Sequence, residues 1–139
     1  MVKIIHITQG NADLVANYDP EIFDAPIVPD RLATFLAQPN HFMALAMAQT
    51  FGVGQIRAMM LHTPDTAPVL FIENLGVSPD YLRQGIATRL MQSALDWGRA
   101  QGCAEAWVAT ELDNHAALAL YRRFECAPME EVAYFDLSI

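Results

Sequence analysis

The stretch Ser78-Pro79-Asp80-Tyr81-Leu82-Arg83-Gln84-Gly85-Ile86-Ala87-Thr88 carries an apolar run into an amphipathic one. A small-residue turn feeding a helix start presents several free N–H groups and the positive end of the helix dipole, a combination that binds phosphate oxygens. Gly85 and Ala87 leave room for the backbone to approach a diphosphate, and Arg83 and Arg89 add charge beside it. The plain alternative is a helix that merely begins after a loop. No G-x-G-x-x-G follows a strand and there is no Walker lysine pattern, so a dinucleotide or P-loop site is disfavoured. Gly52-x-Gly54 precedes a strand-like run and reads as a hairpin turn. A second candidate is Glu73. An acid inside Phe71-Ile72-Glu73 needs a reason to be there. The plain readings are a sheet-surface position or a pair with an arginine. His6, His41, His62 and His115 show no ligand spacing, so no metal site is expected. Cys103 and Cys126 form no paired framework, which predicts a reduced, cytoplasmic setting and a structural role for Cys103.

These residues need elements to hold them. Val2 to Ile7 is short, apolar and β-branched and predicts a strand, and Asn11 to Tyr18 is a weak helix candidate. Asp19 to Pro29 predicts a loop, and Pro29-Asp30 opens a helix over Arg31 to Gln38. His41 to Ala48 and Val53 to Thr63 predict a hairpin joined by Phe51-Gly52, followed by a strand over Val69 to Val77. The helix over Gly85 to Ala100 is the clearest, with Ile86, Leu90, Ala94 and Trp97 at helical spacing and Gln101-Gly102 as its stop. A strand over Ala104 to Thr110, a helix over Asn114 to Phe124 capped by Asn114, and a final strand over Met129 to Leu137 complete the order. No repeat, low-complexity tract or linker interrupts it. The reading is one mixed α/β domain over residues 1–139.

Composition bounds the class of partner. The 139 residues are 53% apolar and 17% charged, enough for a packed core. Sixteen acids against eight bases give a net charge of −8, which argues against nucleic acid or an anionic membrane as partner. No secretory leader pattern begins the chain, and the longest apolar run, Phe42 to Ala48, falls far short of the roughly 20 residues that span a bilayer. Residues 1–82 carry eight acids and three bases, and residues 125–139 carry four acids and no base. Residues 83–124 carry five arginines against four acids. The sharper reading of this asymmetry is an anion site in an otherwise acidic molecule, and the blander one is surface scatter.

Two motifs in order resemble those of the GNAT superfamily of N-acetyltransferases. The family's R/Q-x-x-G-x-G/A follows a strand ending L-x-V-x-P. Here Leu75-Gly76-Val77-Ser78-Pro79 precedes Leu82-Arg83-Gln84-Gly85-Ile86-Ala87. The family's N-x-x-A-x-x-L-Y-x-x-x-G-F appears as Asn114-His-Ala-Ala117-Leu-Ala-Leu120-Tyr121-Arg-Arg-Phe124-Glu125-Cys126. Two departures stand out. Leu82 occupies a position where the family prefers Arg or Gln, and Glu125-Cys126 replaces Gly-Phe. A glycine there ends the helix in a left-handed conformation, in which Glu pays a steric penalty.

The resemblance implies the GNAT fold: a mixed, mostly antiparallel central sheet of six to seven strands with a splayed parallel pair and helices on both faces. It implies acetyl transfer from acetyl-CoA to a primary amine by direct attack in a ternary complex. Leu75, Gly76 and Val77 would line the cofactor's pantetheine arm, with Leu75 N–H donating to the thioester oxygen. Leu82, Arg83, Gln84, Gly85, Ile86, Ala87 and Thr88 would surround the diphosphate, with Asn114, Ala117, Tyr121 and Arg123 completing the cofactor site. Glu73 is the base candidate, two residues before Leu75 and so on the same strand face in the absence of a bulge, with His62 as the alternative. Tyr121 matches the family's proton donor to the leaving thiolate, or is a packed aromatic. Asn114 lies near the arm or is a plain helix cap.

Within the superfamily the chain looks most like the aminoglycoside 3-N-acetyltransferase group, through Arg83 to Thr88, Ala119-Leu120-Tyr121 and the ending Glu130-Glu131-Val132 to Leu137. That group carries Asp where this chain has Asn74. Asp24, Asn74, Glu111 and Asp113 are the acceptor-binding candidates. Asp19, Glu21, Asp30, Glu130, Glu131 and Asp136 are further acids that a cationic acceptor would meet. The expected partner is a small-molecule amine, with a homodimer as one form of assembly. Another small amine, an amino-acid derivative or a protein N-terminus is the alternative acceptor, and an inactive acetyl-CoA sensor the alternative class. Glu73 and Tyr121 favour an enzyme, since a sensor needs neither.

Overall fold

A computed structural model of the chain describes residues 1–124 and 126–139. Two compact units are distinguished, Met1–Ala109 and Thr110–Ile139.

The first unit is built on a sheet of five strands: β1 (Val2–His6), β2 (His41–Ala48), β3 (Phe51–Leu61), β4 (Val69–Val77) and β5 (Glu105–Val108). They lie side by side in chain order, antiparallel except for the parallel pair β4–β5. Five strands replace the six to seven expected. The predicted strand over Met129 to Leu137 is absent, and Val132, Tyr134, Phe135 and Leu137 are exposed. A strand needs a ladder partner, and among the described residues of the second unit no strand supplies one.

Helices cover both faces of the sheet, as expected. β2 reads as an unbroken apolar run because both faces are buried. Met43, Leu45 and Met47 join Ile7, Val15, Ile22 and Phe23 in one core cluster, flanked by Leu32, Phe35 and Leu36 of α1 (Pro29–Ala37). On the other face Phe42 meets Trp97 of α2 (Ile86–Ala100), ring centroids 5.2 Å apart. Ile86, Leu90, Met91, Ala94 and Gly98 form the buried stripe of α2. The weak helix candidate at 11–18 is a 3-10 helix, Gln9–Ala16, capped by Thr8. The loop at 19–29 contains a 3-10 turn, Pro20–Ile22, capped by Asp19.

The β2–β3 turn falls at Gln49–Thr50, with Gln49 at φ 56°, and not at Phe51-Gly52. Gly52 instead lets Tyr18 approach β3: a Cβ there would sit 3.0 Å from the Tyr18 Cβ, and the two residues form a β-bridge.

The second unit contains α3 (His115–Tyr121). It is shorter than the 114–124 predicted, but Asn114 is its cap, accepting from Ala117 N at 3.1 Å. Glu125, with the left-handed strain expected of it, lies outside the described residues.

Candidate active site

The end of β4 forms an open strand edge. Pairing with β5 runs from Val69↔Glu105 to Ile72↔Val108 and then stops, while β4 continues to Val77. β5 is therefore shorter than the predicted 104–110. The physical cause lies next to that last pair. Arg57 opposes Asn74 and Ala58 opposes Ile72, so Glu73 is an extra residue in β4, a β-bulge that bends the strand away. Ser78 N–H bonds Val53 O at 2.8 Å, so it faces β3. Successive N–H groups on a strand alternate in direction, which turns those of Val77 and Leu75 to the side that β5 has left open.

The chain then curls through Arg83 (φ 61°) and Gly85 (φ 75°) into α2. No side chain caps α2, and its first intrahelical bond is Arg89 N to Gly85 O, so the N–H groups of Ile86, Ala87 and Thr88 have no acceptor within the helix. A Cβ on Gly85 would meet nothing within 4 Å, so the glycine serves the positive φ and leaves the space beside it open. Leu82 is 56% exposed and offers no donor. The donor set fits the anionic half of acetyl-CoA: main-chain N–H groups at a helix start with arginines at 83 and 89. The open strand edge fits an extended arm that accepts and donates like an added strand.

A chain of polar side chains lies across the sheet, under the 20–22 turn. Gln55 Nε2 donates to Ile22 O at 2.9 Å and to Asn74 Oδ1 at 2.6 Å, and Asn74 Nδ2 donates to Asp24 Oδ2 at 3.1 Å. Glu73 pairs with Arg57, Nε to Oε2 at 2.8 Å and Nη2 to Oε1 at 3.4 Å. The bulge corrects the expected geometry: Glu73 joins Arg57 and Asn74 on the face of the 20–22 turn, whereas Leu75 pairs with Ile56 on the opposite face. The arginine pair that was the plain reading of Glu73 is observed. Ser78, fully buried on its side chain, donates its hydroxyl to Asp19, which also accepts from Glu21 N. Those two bonds, the hydroxyl's first, hold the Asp19 carboxyl below the usual range.

In the second unit, Tyr121 ends α3 and is half-buried, and burial raises its phenol. Ala117 lies on the same helix, Arg123 is exposed just after it, and Glu111 and Asp113 are exposed just before Asn114. His62 is exposed beyond the end of β3. Cys103 is part-buried, and desolvation raises its thiol.

The structure thus brings Asp24 and Asn74 together with Glu73, and lines up Leu75, Gly76 and Val77 along one edge. Glu111, Asp113, Asn114, Ala117, Tyr121 and Arg123 belong to the separate second unit. Gln55 and Arg57 were missed. The signal for them was two polar residues at i and i+2 inside the apolar run 53–61, which marks one polar stripe on a buried strand. Among the described residues no group of three or more metal-ligating side chains occurs, and no helix is long and apolar enough to cross a membrane.

An open strand edge running into an uncapped helix start is the arrangement of a domain that binds a long anionic cofactor beside its sheet. The model of the acetyltransferase (GNAT) family matches residues 11–125, and the chain belongs to that family. It is 35% identical over 104 residues to an aminoglycoside N(6')-acetyltransferase type 1 from Acinetobacter genomosp. 13, covering 75% of this chain and 68% of that one. The corresponding protein of Acinetobacter baumannii is 33% identical over the same lengths and shares. Among solved structures, an aminoglycoside acetyltransferase from an uncultured soil metagenomic sample, in complex with sisomicin, superposes with a TM-score of 0.84 at 20% identity, covering 99% of this chain and 96% of that one. An aminoglycoside N-acetyltransferase in complex with CoA gives 0.80 at 19%, covering 99% and 95%. The protein is an acetyl-CoA-dependent N-acetyltransferase. The expected kinship to the 3-N group is corrected: these relatives are 6'-N-acetyltransferases.

Proposed function

We propose that the acceptor is an aminoglycoside amine. The observation that carries this reading is the acceptor face itself, where Asp24 is exposed and Glu73 stands close by on the bulged strand. Carboxylates on a shaped face recognise a polycationic sugar. The names of the relatives support the same class.

Bound acetyl-CoA supplies an acetyl group activated as a thioester. In this reading the N–H groups of Ile86, Ala87 and Thr88, with Arg83, Gln84 and Gly85, hold its diphosphate, and the edge of Leu75, Gly76 and Val77 holds its arm. Leu75 N–H, on that open edge, would be the donor to the thioester oxygen. Glu73 accepts the proton lost by the acceptor amine. Its pair with Arg57 fixes the carboxylate and occupies two of about four lone-pair sites, leaving the others for the ammonium. A phenol that protonates the departing thiolate, the role the family motif implies for Tyr121, would complete direct transfer in a ternary complex.

A thiol-release assay tests the acceptor. Sisomicin and related aminoglycosides are run against polyamines, amino acids and an N-terminal peptide. Turnover of aminoglycosides above the other amines is expected, and turnover of none of them overturns the reading. Glu73→Gln is expected to change the pH–rate profile, and an unchanged profile places the base elsewhere.

A further inference from the structure

We infer that Gln55 is a positioning residue for acceptor recognition, aiming the Asp24 carboxylate through Asn74 without cancelling its charge. The inference deepens the acceptor reading above and rests on it.

A single main-chain atom sets the whole chain of bonds. Ile22 O can only accept, so the Gln55 amide must present its NH2 to it. The same NH2 faces Asn74 Oδ1, which fixes the second amide with its own NH2 toward Asp24 Oδ2. Flipping either amide would set oxygen against oxygen. Gln55 is fully buried, and among the described residues its Oε1 has no hydrogen-bond partner. A buried acceptor without a partner costs stability, and an apolar side chain would avoid that cost. The glutamine is therefore explained by what its NH2 does and not by packing.

The chemistry of the last link matters most. Asp24 is held by a neutral amide, and among the described residues no cation pairs with it. Glu73, its neighbour on the same face, is matched by Arg57. The face thus holds one matched carboxylate and one unmatched carboxylate fixed in place. An arginine in place of Asn74 would fix Asp24 equally well but neutralise it. Aspartate at 74 would set a second negative charge 3.1 Å from the first in place of a donor. The arrangement favours an acceptor that brings one ammonium to Asp24.

The test is a double-mutant cycle on the full chain, with sisomicin as acceptor and thiol release as readout. Q55L is expected to raise the acceptor KM about tenfold, more than it lowers kcat, because contacts in one network couple strongly. The KM for acetyl-CoA and the rise in melting temperature on adding acetyl-CoA should not move. In a D24N background Q55L should add less than about twofold, since both changes break the same chain. An unchanged acceptor KM in Q55L, or effects that multiply in the double variant, overturns the proposal. If Q55L loses the acetyl-CoA thermal shift, it is not folded, and N74L replaces it in the same cycle with the same expected and refuting results. If the wild type acetylates no aminoglycoside, the acceptor reading fails by itself. The cycle is then run with the amine the wild type does acetylate, where the same split is required.

Discussion

Gly76 is where the 20–22 turn meets the strand, and replacing it with alanine tests that contact. A Cβ at this position would collide with the Ile22 carbonyl, a main-chain atom that cannot swing aside, and it is the carbonyl to which Gln55 donates. Gly76 is not at positive φ, so alanine carries no backbone penalty of its own. Displacing the turn forfeits one hydrogen bond, about 1 kcal/mol. Overpacking adds about 1–3 kcal/mol. Removing a glycine from a strand returns about 0.5–1 kcal/mol. The expected net loss is about 1–3.5 kcal/mol, a fall in Tm of about 3–14 °C for a chain of this size. Gly98→Ala is the matched control. There the added Cβ meets the methyl ends of Leu70, 2.9 Å away, which can shift, and a helix gains from alanine. Thermal unfolding of both variants, with and without acetyl-CoA, gives the answer. Gly76→Ala should fall well below Gly98→Ala, and its acceptor KM should rise. A Gly76→Ala variant within about 0.5 kcal/mol of wild type would refute the packing of the 20–22 turn on β4.

Gly85→Ala places a side chain at φ 75°, so it should lose about 1–2 kcal/mol of stability and raise the KM for acetyl-CoA, both measurable on one preparation. The Asp19–Ser78 bond makes a pH-dependent contribution. Because the folded carboxyl titrates lower than the unfolded one, its stabilisation is present above about pH 4 and is lost as pH falls through the folded value. The Tm gap between wild type and Ser78→Ala should therefore close on acidification below about pH 4, and a gap constant from pH 7 to pH 2 would contradict this. Tyr121→Phe should lower kcat by about 10²–10⁴-fold with the acceptor KM little changed, and an unchanged kcat would remove the phenol from proton transfer.

The sequence by itself determined what depends on neighbours a few residues apart. The Leu82–Thr88 turn, the α2 stripe from Ile86 to Gly98, the Asn114 cap and the apolar runs of β2 to β4 are local patterns of period and cap chemistry. The family motifs lie on the same local scale, so the family was legible. Tertiary structure decided the polar face under the 20–22 turn. The bulge that carries Glu73 to Arg57 exists only once β4 is registered against β3. The bonds Gln55–Asn74 and Asn74–Asp24 join residues 19 and 50 positions apart. No period in the chain encodes such pairings, because a one-residue slip in register would turn each of these side chains to the opposite face of the sheet. The same limit explains the segment 129–137: an apolar pattern states that a strand is affordable, and only a partner ladder makes one.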